Sequence, residues 1–125
     1  MSAIESFANP RPGRPFLIES VTHEFTCVCP RTGQPDFATL RIRYVPDARC
    51  FELKSLKLYL AAFRSGGHFH EDVCNRILDD LVAAVAPLWM EVRGEFAVRG
   101  GIATTVTARH GKCPDGLDAV ERNPF

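Results

Sequence analysis

An α+β fold, in which two helices cover one face of a single antiparallel sheet, is predicted by the order of the hydrophobic patterns. Two segments with strand-like composition come first, two segments with helical spacing follow, and two alternating segments complete the series. Two hairpins that flank a helix pair are typical of one sheet with its helices on one face. The predicted strands cover residues 16–29, 37–45, 88–98 and 102–110, and the predicted helices cover residues 51–64 and 70–86.

The strands are predicted from composition and from alternation. Residues 16–29 are rich in Phe, Ile, Val and Thr, which favour strands. Strict alternation follows in residues 37–45, with Leu40, Ile42 and Tyr44 on one face and Thr39, Arg41 and Arg43 on the other. A four-stranded sheet has two open edges that must be protected or paired with another chain. We therefore expect an oligomer.

The two helices are predicted from apolar residues at three- and four-residue steps. The apolar positions are Leu53, Leu56, Leu60 and Phe63 in the first helix and Val73, Ile77, Leu81 and Val85 in the second. Ser65-Gly66-Gly67 ends the first helix and Pro87 ends the second. In the first helix, Lys54 and Lys57 are three residues apart and share a neighbouring face.

The chain of 125 residues is long enough for one domain with one core. We expect an irregular N-terminal arm over residues 1–15, which contain three prolines, and a folded domain over residues 16–110. The polar segment 111–125 is predicted to be a mobile tail.

Composition argues against several classes of function. Fifteen basic and fifteen acidic residues balance, which gives no electrostatic case for binding nucleic acid or an anionic membrane. No apolar run approaches the ~20 residues of a membrane span, and residues 1–15 lack the apolar centre of a signal peptide. We therefore expect a cytoplasmic protein. Five cysteines without an export signal favour free thiols.

The first hairpin carries the residues with the clearest chemistry. Cys29 directly precedes Pro30, so it is expected at the end of an extended segment. The turn predicted at residues 32–35 would bring Asp36 to the same end of the sheet. A thiol beside a carboxyl group can serve as a nucleophile with its proton donor or acceptor. The alternative is a buried cysteine near an aspartate that caps a turn.

Four motifs in the same order resemble those of a known family. Residues 52–59, Glu-Leu-Lys-Ser-Leu-Lys-Leu-Tyr, comply at all eight positions with the motif of the NADPH-dependent 7-cyano-7-deazaguanine (preQ0) reductases, the nitrile reductases of queuosine biosynthesis. Residues 29–36, 69–71 and 99–101 match the family's Cys-Pro-x-Thr-Gly-Gln-Pro-Asp, Phe-His-Glu and Arg-Gly-Gly segments. The length is similar to that of the short, single-domain type.

This resemblance implies an architecture. The family has the tunnelling fold, in which subunits of ββααββ order join their sheets into a pentameric barrel. Two barrels stack face to face, so the expected assembly is a decamer. Active sites in such a ring lie at subunit interfaces.

The resemblance also implies roles for individual residues. Cys29 is the nucleophile that forms a thioimide with the nitrile of preQ0, and Asp36 is the general acid. Glu71 holds the base of the substrate, His70 contacts the substrate or transfers a proton, and we also assign Glu52 to substrate binding. Lys54, Ser55 and Lys57 are assigned to NADPH, because ammonium groups on one helical face suit phosphates.

Two other functions remain open at this point. Cys27, Cys29, His68, His70 and Cys74 include the ligand types of zinc, and GTP cyclohydrolase I is a zinc hydrolase with the tunnelling fold. The spacings match no known zinc finger, however, and we predict no metal. A non-catalytic oligomer that binds a base is the second alternative, but it would leave the pairing of a thiol with a carboxyl group unexplained. Cys27, Cys50 and Cys113 are expected in packing or surface roles.

Overall fold

Six strands and two α-helices make up the computed structural model, which describes residues 3–125. The strands are β1 (Ser6–Ala8), β2 (Ile18–Val28), β3 (Pro35–Val45), β4 (Arg49–Phe51), β5 (Trp89–Arg99) and β6 (Ile102–Gly111). The helices are α1 (Leu53–Ala61) and α2 (His70–Val85), and short 3₁₀ turns follow at Ala62–Ser65 and Leu117–Ala119.

The main sheet is antiparallel and has the order β2-β3-β5-β6. Its four long strands and the two helices agree with the predicted segments to within a few residues. The predicted α+β class is therefore confirmed, with β2 and β6 as the open edges of this sheet.

The N-terminal arm differs from the prediction. Residues 1–15 were expected to be irregular, whereas Ser6–Ala8 pairs with Arg49–Phe51 as a second, two-stranded sheet. The first two residues of the predicted arm lie outside the described part of the chain. Strands of three residues are too short to show a hydrophobic period, so the sequence pattern gave no signal for them.

The core lies between the sheet and the helices. All four apolar positions predicted for α2 are buried, each at most 2% exposed: Val73, Ile77, Leu81 and Val85. Helix α1 differs in one position, because Leu53 is 54% exposed while Tyr59, which was not predicted, is buried. The buried line of this helical segment runs through Leu56, Tyr59 and Phe63, at spacings of three and four residues.

The opposite face of the sheet is covered in part by the C-terminal tail. Arg43 donates a hydrogen bond to the backbone oxygen of Asp118 (3.1 Å), and Asn123 donates its backbone N–H to Glu19 (2.6 Å). Beneath this segment, Glu91 is fully buried and paired with Arg43 and Arg109 at 3.1 and 2.8 Å. The tail expected to be mobile is thus anchored to the sheet by several hydrogen bonds.

None of the helices in residues 3–125 is long and apolar enough to cross a membrane.

Candidate active site

The turn between β2 and β3 places Cys29 and Asp36 at the same end of the sheet. Cys27 pairs with Asp36 in the antiparallel register, so their side chains share a face of the sheet. Two backbone hydrogen bonds close the turn, from the N–H of Cys29 to the oxygen of Gln34 (2.8 Å) and from the N–H of Gly33 to the oxygen of Cys29 (2.9 Å). Gly33 has a φ of 72°, a conformation that favours glycine.

A second segment is joined to this end of the sheet by backbone hydrogen bonds. The N–H of Val28 donates to the oxygen of Gly66, and the N–H of His68 donates to the oxygen of Val28, both at 3.0 Å. Helix α2 begins two residues later, at His70. The first turn of α2 therefore lies beside the turn that carries Cys29.

Asp36 is the centre of the resulting cluster. The residue is 6% exposed, and its carboxyl group has two cationic or potentially cationic neighbours. Arg99 donates from Nη1 to Oδ1 at 2.7 Å, and Nε2 of His70 lies 3.3 Å from Oδ2. The imidazole of His70 stacks on the ring of Phe96, with centroids 3.8 Å apart and an interplanar angle of 6°.

Cys29 has the environment of a reactive thiol. The pKa of Cys29 is lowered, first by a hydrogen bond from the Thr32 side chain and then by backbone hydrogen bonds from Thr32 and Arg31. Desolvation and the charge of Asp36 act in the opposite direction but are weaker. Hydrogen bonds to sulfur favour the thiolate, which is the nucleophilic form.

The neighbouring buried cysteines have the opposite character. Burial raises the pKa of Cys27 to about 11 and that of Cys74 to about 12. All five cysteines are free thiols. Cys29 is therefore the thiol of this cluster best suited to nucleophilic attack.

The motif at residues 52–59 begins with a helix cap. The carboxylate of Glu52 accepts hydrogen bonds from the backbone N–H groups of Lys54 and Ser55, which lowers the pKa of Glu52. The hydroxyl of Ser55 donates to the oxygen of Glu52 and accepts from the N–H of Glu5, both at 2.9 Å. Two of the predicted site residues therefore also fix the start of α1.

This motif begins far from Cys29 within one chain. The hydroxyl of Tyr44 accepts a hydrogen bond from the N–H of Phe51, at 3.2 Å, which places the start of α1 near Tyr44. Tyr44 lies eight positions along β3 from Asp36, a length of roughly 27 Å in a strand. The structure thus brings Cys29, Asp36 and His70 together, but it leaves Glu52, Lys54 and Ser55 at the other end of the sheet.

Lys57 faces a cleft of about 680 Å³ between α1 and the edge strand β2. Its lining includes Arg64, the acidic Glu24 and the apolar side chains of Leu53 and Leu60. Two cations beside apolar surface suit a ligand that carries both phosphate groups and aromatic rings. Glu71, in the first turn of α2, is exposed.

Sequence reasoning missed three contributors to the cluster: Thr32, Phe96 and Arg99. Thr32 lies inside the matched motif at residues 29–36, and Arg99 lies inside the one at residues 99–101. The motifs therefore marked both residues, but no role was assigned to either. Phe96 lies outside those motifs and had no such signal. Within residues 3–125, no three His, Cys, Asp or Glu side chains are arranged to hold a metal ion.

Comparisons with known proteins identify the family of this chain. Residues 35–115 match the family described as QueF-like protein. A protein from Anaeromyxobacter sp. (strain K), named NADPH-dependent 7-cyano-7-deazaguanine reductase, is 68% identical over 114 residues, which cover 91% of this chain and 93% of that protein. A protein of the same name from Thiobacillus denitrificans is 62% identical over 119 residues, 95% of this chain and 84% of its own length.

Among solved structures, the crystal structure of the archaeosine synthase QueF-Like in the apo form is similar in fold. The TM-score is 0.74 at 24% sequence identity, and the match covers 81% of this chain and 99% of the other. The family resemblance predicted from the four motifs is confirmed: this chain belongs to the QueF-like protein family.

Proposed function

We propose that this protein is a cytoplasmic NADPH-dependent reductase that converts the nitrile of preQ0 into the aminomethyl group of preQ1 for the queuosine modification of tRNA. The observation that carries the proposal is the convergence of a thiol of lowered pKa with Asp36 and His70. The names of relatives more than 60% identical to this chain support the same activity.

The first chemical step is addition of Cys29 to the nitrile. The sulfur bonds to the electrophilic nitrile carbon, the S–H proton passes to the pair formed by Asp36 and His70, and this pair delivers one proton to the nitrile nitrogen to give a thioimide. Asp36 is the general acid in this step. Its second oxygen faces His70, so the proton can be shared between these two groups.

Glu71 recognises the base in this proposal. It lies one residue after His70 in the first turn of α2. An ionised glutamate only accepts hydrogen bonds, which suits a ring N–H and an exocyclic amine. Glu52 remains a predicted substrate contact, although its carboxylate caps α1 in this chain.

NADPH is held by Lys54, Ser55 and Lys57. Of these three residues Lys57 lines the cleft, whose volume and mixture of cationic and apolar lining fit a pyridine nucleotide. When bound, NADPH supplies hydride. Because reduction of a nitrile to a primary amine requires four electrons, two NADPH are consumed for each product.

The active site is shared between subunits of a tunnelling-fold barrel, a decamer of two pentamers. The open edges β2 and β6 support the pairing of subunits into a ring. The separation between the start of α1 and Asp36 supports a site completed by a neighbouring chain. Sedimentation at micromolar concentration tests this assembly, and a stable, active monomer would contradict it.

The alternatives receive no support. Among residues 3–125, no cluster is suited to holding the zinc of a GTP cyclohydrolase-type hydrolase. A base-binding scaffold would have no use for a thiol of lowered pKa beside a carboxyl group.

One assay tests the proposed activity. NADPH absorbance is followed with and without preQ0, using wild type and Cys29→Ala. We expect oxidation only in wild type with preQ0, at two NADPH per product. Oxidation by Cys29→Ala at the wild-type rate, or none in either protein, would overturn the proposal.

A further inference from the structure

We propose that Arg99 is a positioning residue, whose guanidinium fixes both Asp36 and the turn that carries Cys29. This inference rests on the proposed function, because it concerns the same proton transfer. Arg99 belongs to the matched Arg-Gly-Gly segment, but the proposed function gives it no role.

A single guanidinium contacts three consecutive residues. Nη1 of Arg99 donates to Oδ1 of Asp36 at 2.7 Å and to the backbone oxygen of Pro35 at 2.9 Å. Nη2 donates to the side-chain oxygen of Gln34 at 2.7 Å. The planar fork of arginine allows this arrangement, whereas lysine has only one nitrogen.

The same contacts reach Cys29 through the backbone. Gln34, which Arg99 binds by its side chain, accepts the hydrogen bond from the N–H of Cys29. By holding the Gln34 side chain and the backbone oxygen of Pro35, Arg99 also restrains the backbone to which Cys29 is hydrogen-bonded. The guanidinium of Arg99 thus fixes the position of Cys29 relative to the carboxyl group of Asp36.

Strand β5 supplies both groups that orient Asp36. Phe96 stacks on His70, and Arg99 pairs with the carboxylate. The register between β5 and β6 shifts between these two residues, just before the turn at Gly100 and Gly101. Such irregularities change the direction of side chains at the end of a strand.

The pairing also decides which oxygen of Asp36 exchanges protons. Arginine has only donor groups, so Oδ1 is occupied as an acceptor. Oδ2 faces His70 and is the oxygen left for proton transfer. As the S–C bond forms, the S–H bond breaks and its proton passes to the pair formed by Asp36 and His70, and the proton on the nitrile nitrogen comes from Oδ2 or through His70.

A merely structural role for Arg99 predicts a different set of effects. The side chain is 38% exposed and does not fill the core. If Arg99 only stabilised the fold, its removal would lower thermal stability and base affinity together. A positioning residue lowers the rate of thioimide formation while base affinity and melting temperature stay unchanged.

The test compares Arg99→Met, Arg99→Lys and the control Arg14→Met, which replaces an exposed arginine of the N-terminal segment. Intact-protein mass spectrometry follows the rate of adduct formation with preQ0, and preQ0 affinity is measured in a Cys29→Ala background. We expect Arg99→Met to slow the adduct on the order of 10²-fold, the cost of a small misplacement of reacting groups. Arg99→Lys recovers the rate in part, and methylguanidinium restores part of the rate of Arg99→Met.

Alkylation of Cys29 by iodoacetamide separates this inference from the proposed function. If wild type forms no adduct with preQ0, the proposed function fails. The pH at which alkylation of Cys29 reaches half its maximal rate still tests Arg99. We expect this pH midpoint to be higher in Arg99→Met than in wild type and unchanged in Arg14→Met. Wild-type kinetics and an unchanged midpoint in Arg99→Met would overturn the inference, as would a parallel loss of base affinity and thermal stability.

Discussion

Nε2 of His70 lies 3.3 Å from Oδ2 of Asp36, and the imidazole is held in place by its stack on Phe96. The two residues come from different elements, the start of α2 and the start of β3. Their contact exists because the segment before α2 is hydrogen-bonded to the end of β2. A carboxyl group and an imidazole at this distance can act as one proton-transfer unit.

The first prediction concerns this unit. Asp36→Asn should slow single-turnover adduct formation by ~10²–10⁴-fold, the usual contribution of a general acid–base group, while preQ0 still binds. His70→Gln should also slow the reaction. The double variant should be no slower than the slower single variant, because residues that act as a unit are not additive. His110→Gln, at an exposed position of β6, is the matched control; fully multiplicative effects would show that the two groups act separately.

The second prediction concerns the thiolate of Cys29. Because its pKa is lowered chiefly by the hydroxyl of Thr32, the pH midpoint for alkylation by iodoacetamide should lie below that of an ordinary cysteine. Thr32→Val removes the hydroxyl and should move the midpoint to higher pH. Thr32→Ser keeps the hydroxyl and should not move it. Peptide mapping at pH 8 should find Cys27 and Cys74 unreacted, since burial raises their pKa values; faster labelling of Cys27 than Cys29 would refute this assignment.

The third prediction concerns stability. Glu91 is fully buried between Arg43 and Arg109, so Glu91→Gln leaves buried cationic charge without its partner. The free energy of unfolding should fall by about 3–5 kcal/mol, the usual cost of breaking a buried pair. Urea denaturation at fixed protein concentration measures it, with the exposed Glu121→Gln as control. A change no larger than that of the control would contradict the prediction.

This contribution should depend on pH in a defined direction. Burial alone raises the pKa of Glu91, but the hydrogen bonds from Arg43 and Arg109 outweigh it, and the pKa is lowered. A lowered pKa in the folded state gives stability that is complete above the ordinary glutamate value, about 4.3, and is lost as pH falls. The difference between wild type and Glu91→Gln should therefore shrink only below about pH 4.

The sequence predicts the elements with a clear hydrophobic period and misses those without one. Helix α2 shows its period at Val73, Ile77, Leu81 and Val85, and all four are buried. The strands Ser6–Ala8 and Arg49–Phe51 have too few residues to show a period. Arg43 anchors the C-terminal tail through its hydrogen bond to Asp118. In the sequence, Arg43 is only one of the outward-facing polar residues of an alternating strand, so the pattern does not predict this contact.

The candidate site is predictable only where motifs mark it. Cys29 and Asp36 follow from the turn between two predicted strands, and the structure places them at the same end of the sheet. The contact of Arg99 with Asp36 depends on the register shift near the end of β5, which no local pattern specifies. The capping role of Glu52 depends on where α1 begins, and helix boundaries are the least certain part of sequence reasoning.

The fourth prediction concerns recognition of the base. Glu71→Gln keeps the size of the side chain but replaces one acceptor with a donor. The affinity for preQ0, measured by calorimetry in a Cys29→Ala background, should weaken by ~1.5–3 kcal/mol through the loss of a charge-assisted hydrogen bond. The neighbouring Asp72→Asn is the control, since it removes a charge from the same exposed turn. If preQ0 binds the Gln variant unchanged, the base is held elsewhere.

The last prediction tests whether one active site takes residues from two subunits. In one chain, the start of α1 with Lys54 lies near Tyr44, far from Asp36 and Cys29. Lys54→Ala/Lys57→Ala should raise the KM for NADPH without weakening base binding, and Cys29→Ala should be inactive.

If the sites are shared, oligomers unfolded and refolded from an equal mixture of these two proteins contain some interfaces with both halves intact. About a quarter of the interfaces should be intact under random assembly in a ring. Activity at low NADPH should therefore appear only after the mixture is refolded together. No recovery in oligomers that mass spectrometry shows to be mixed would place the lysines and the nucleophile of each site in the same subunit.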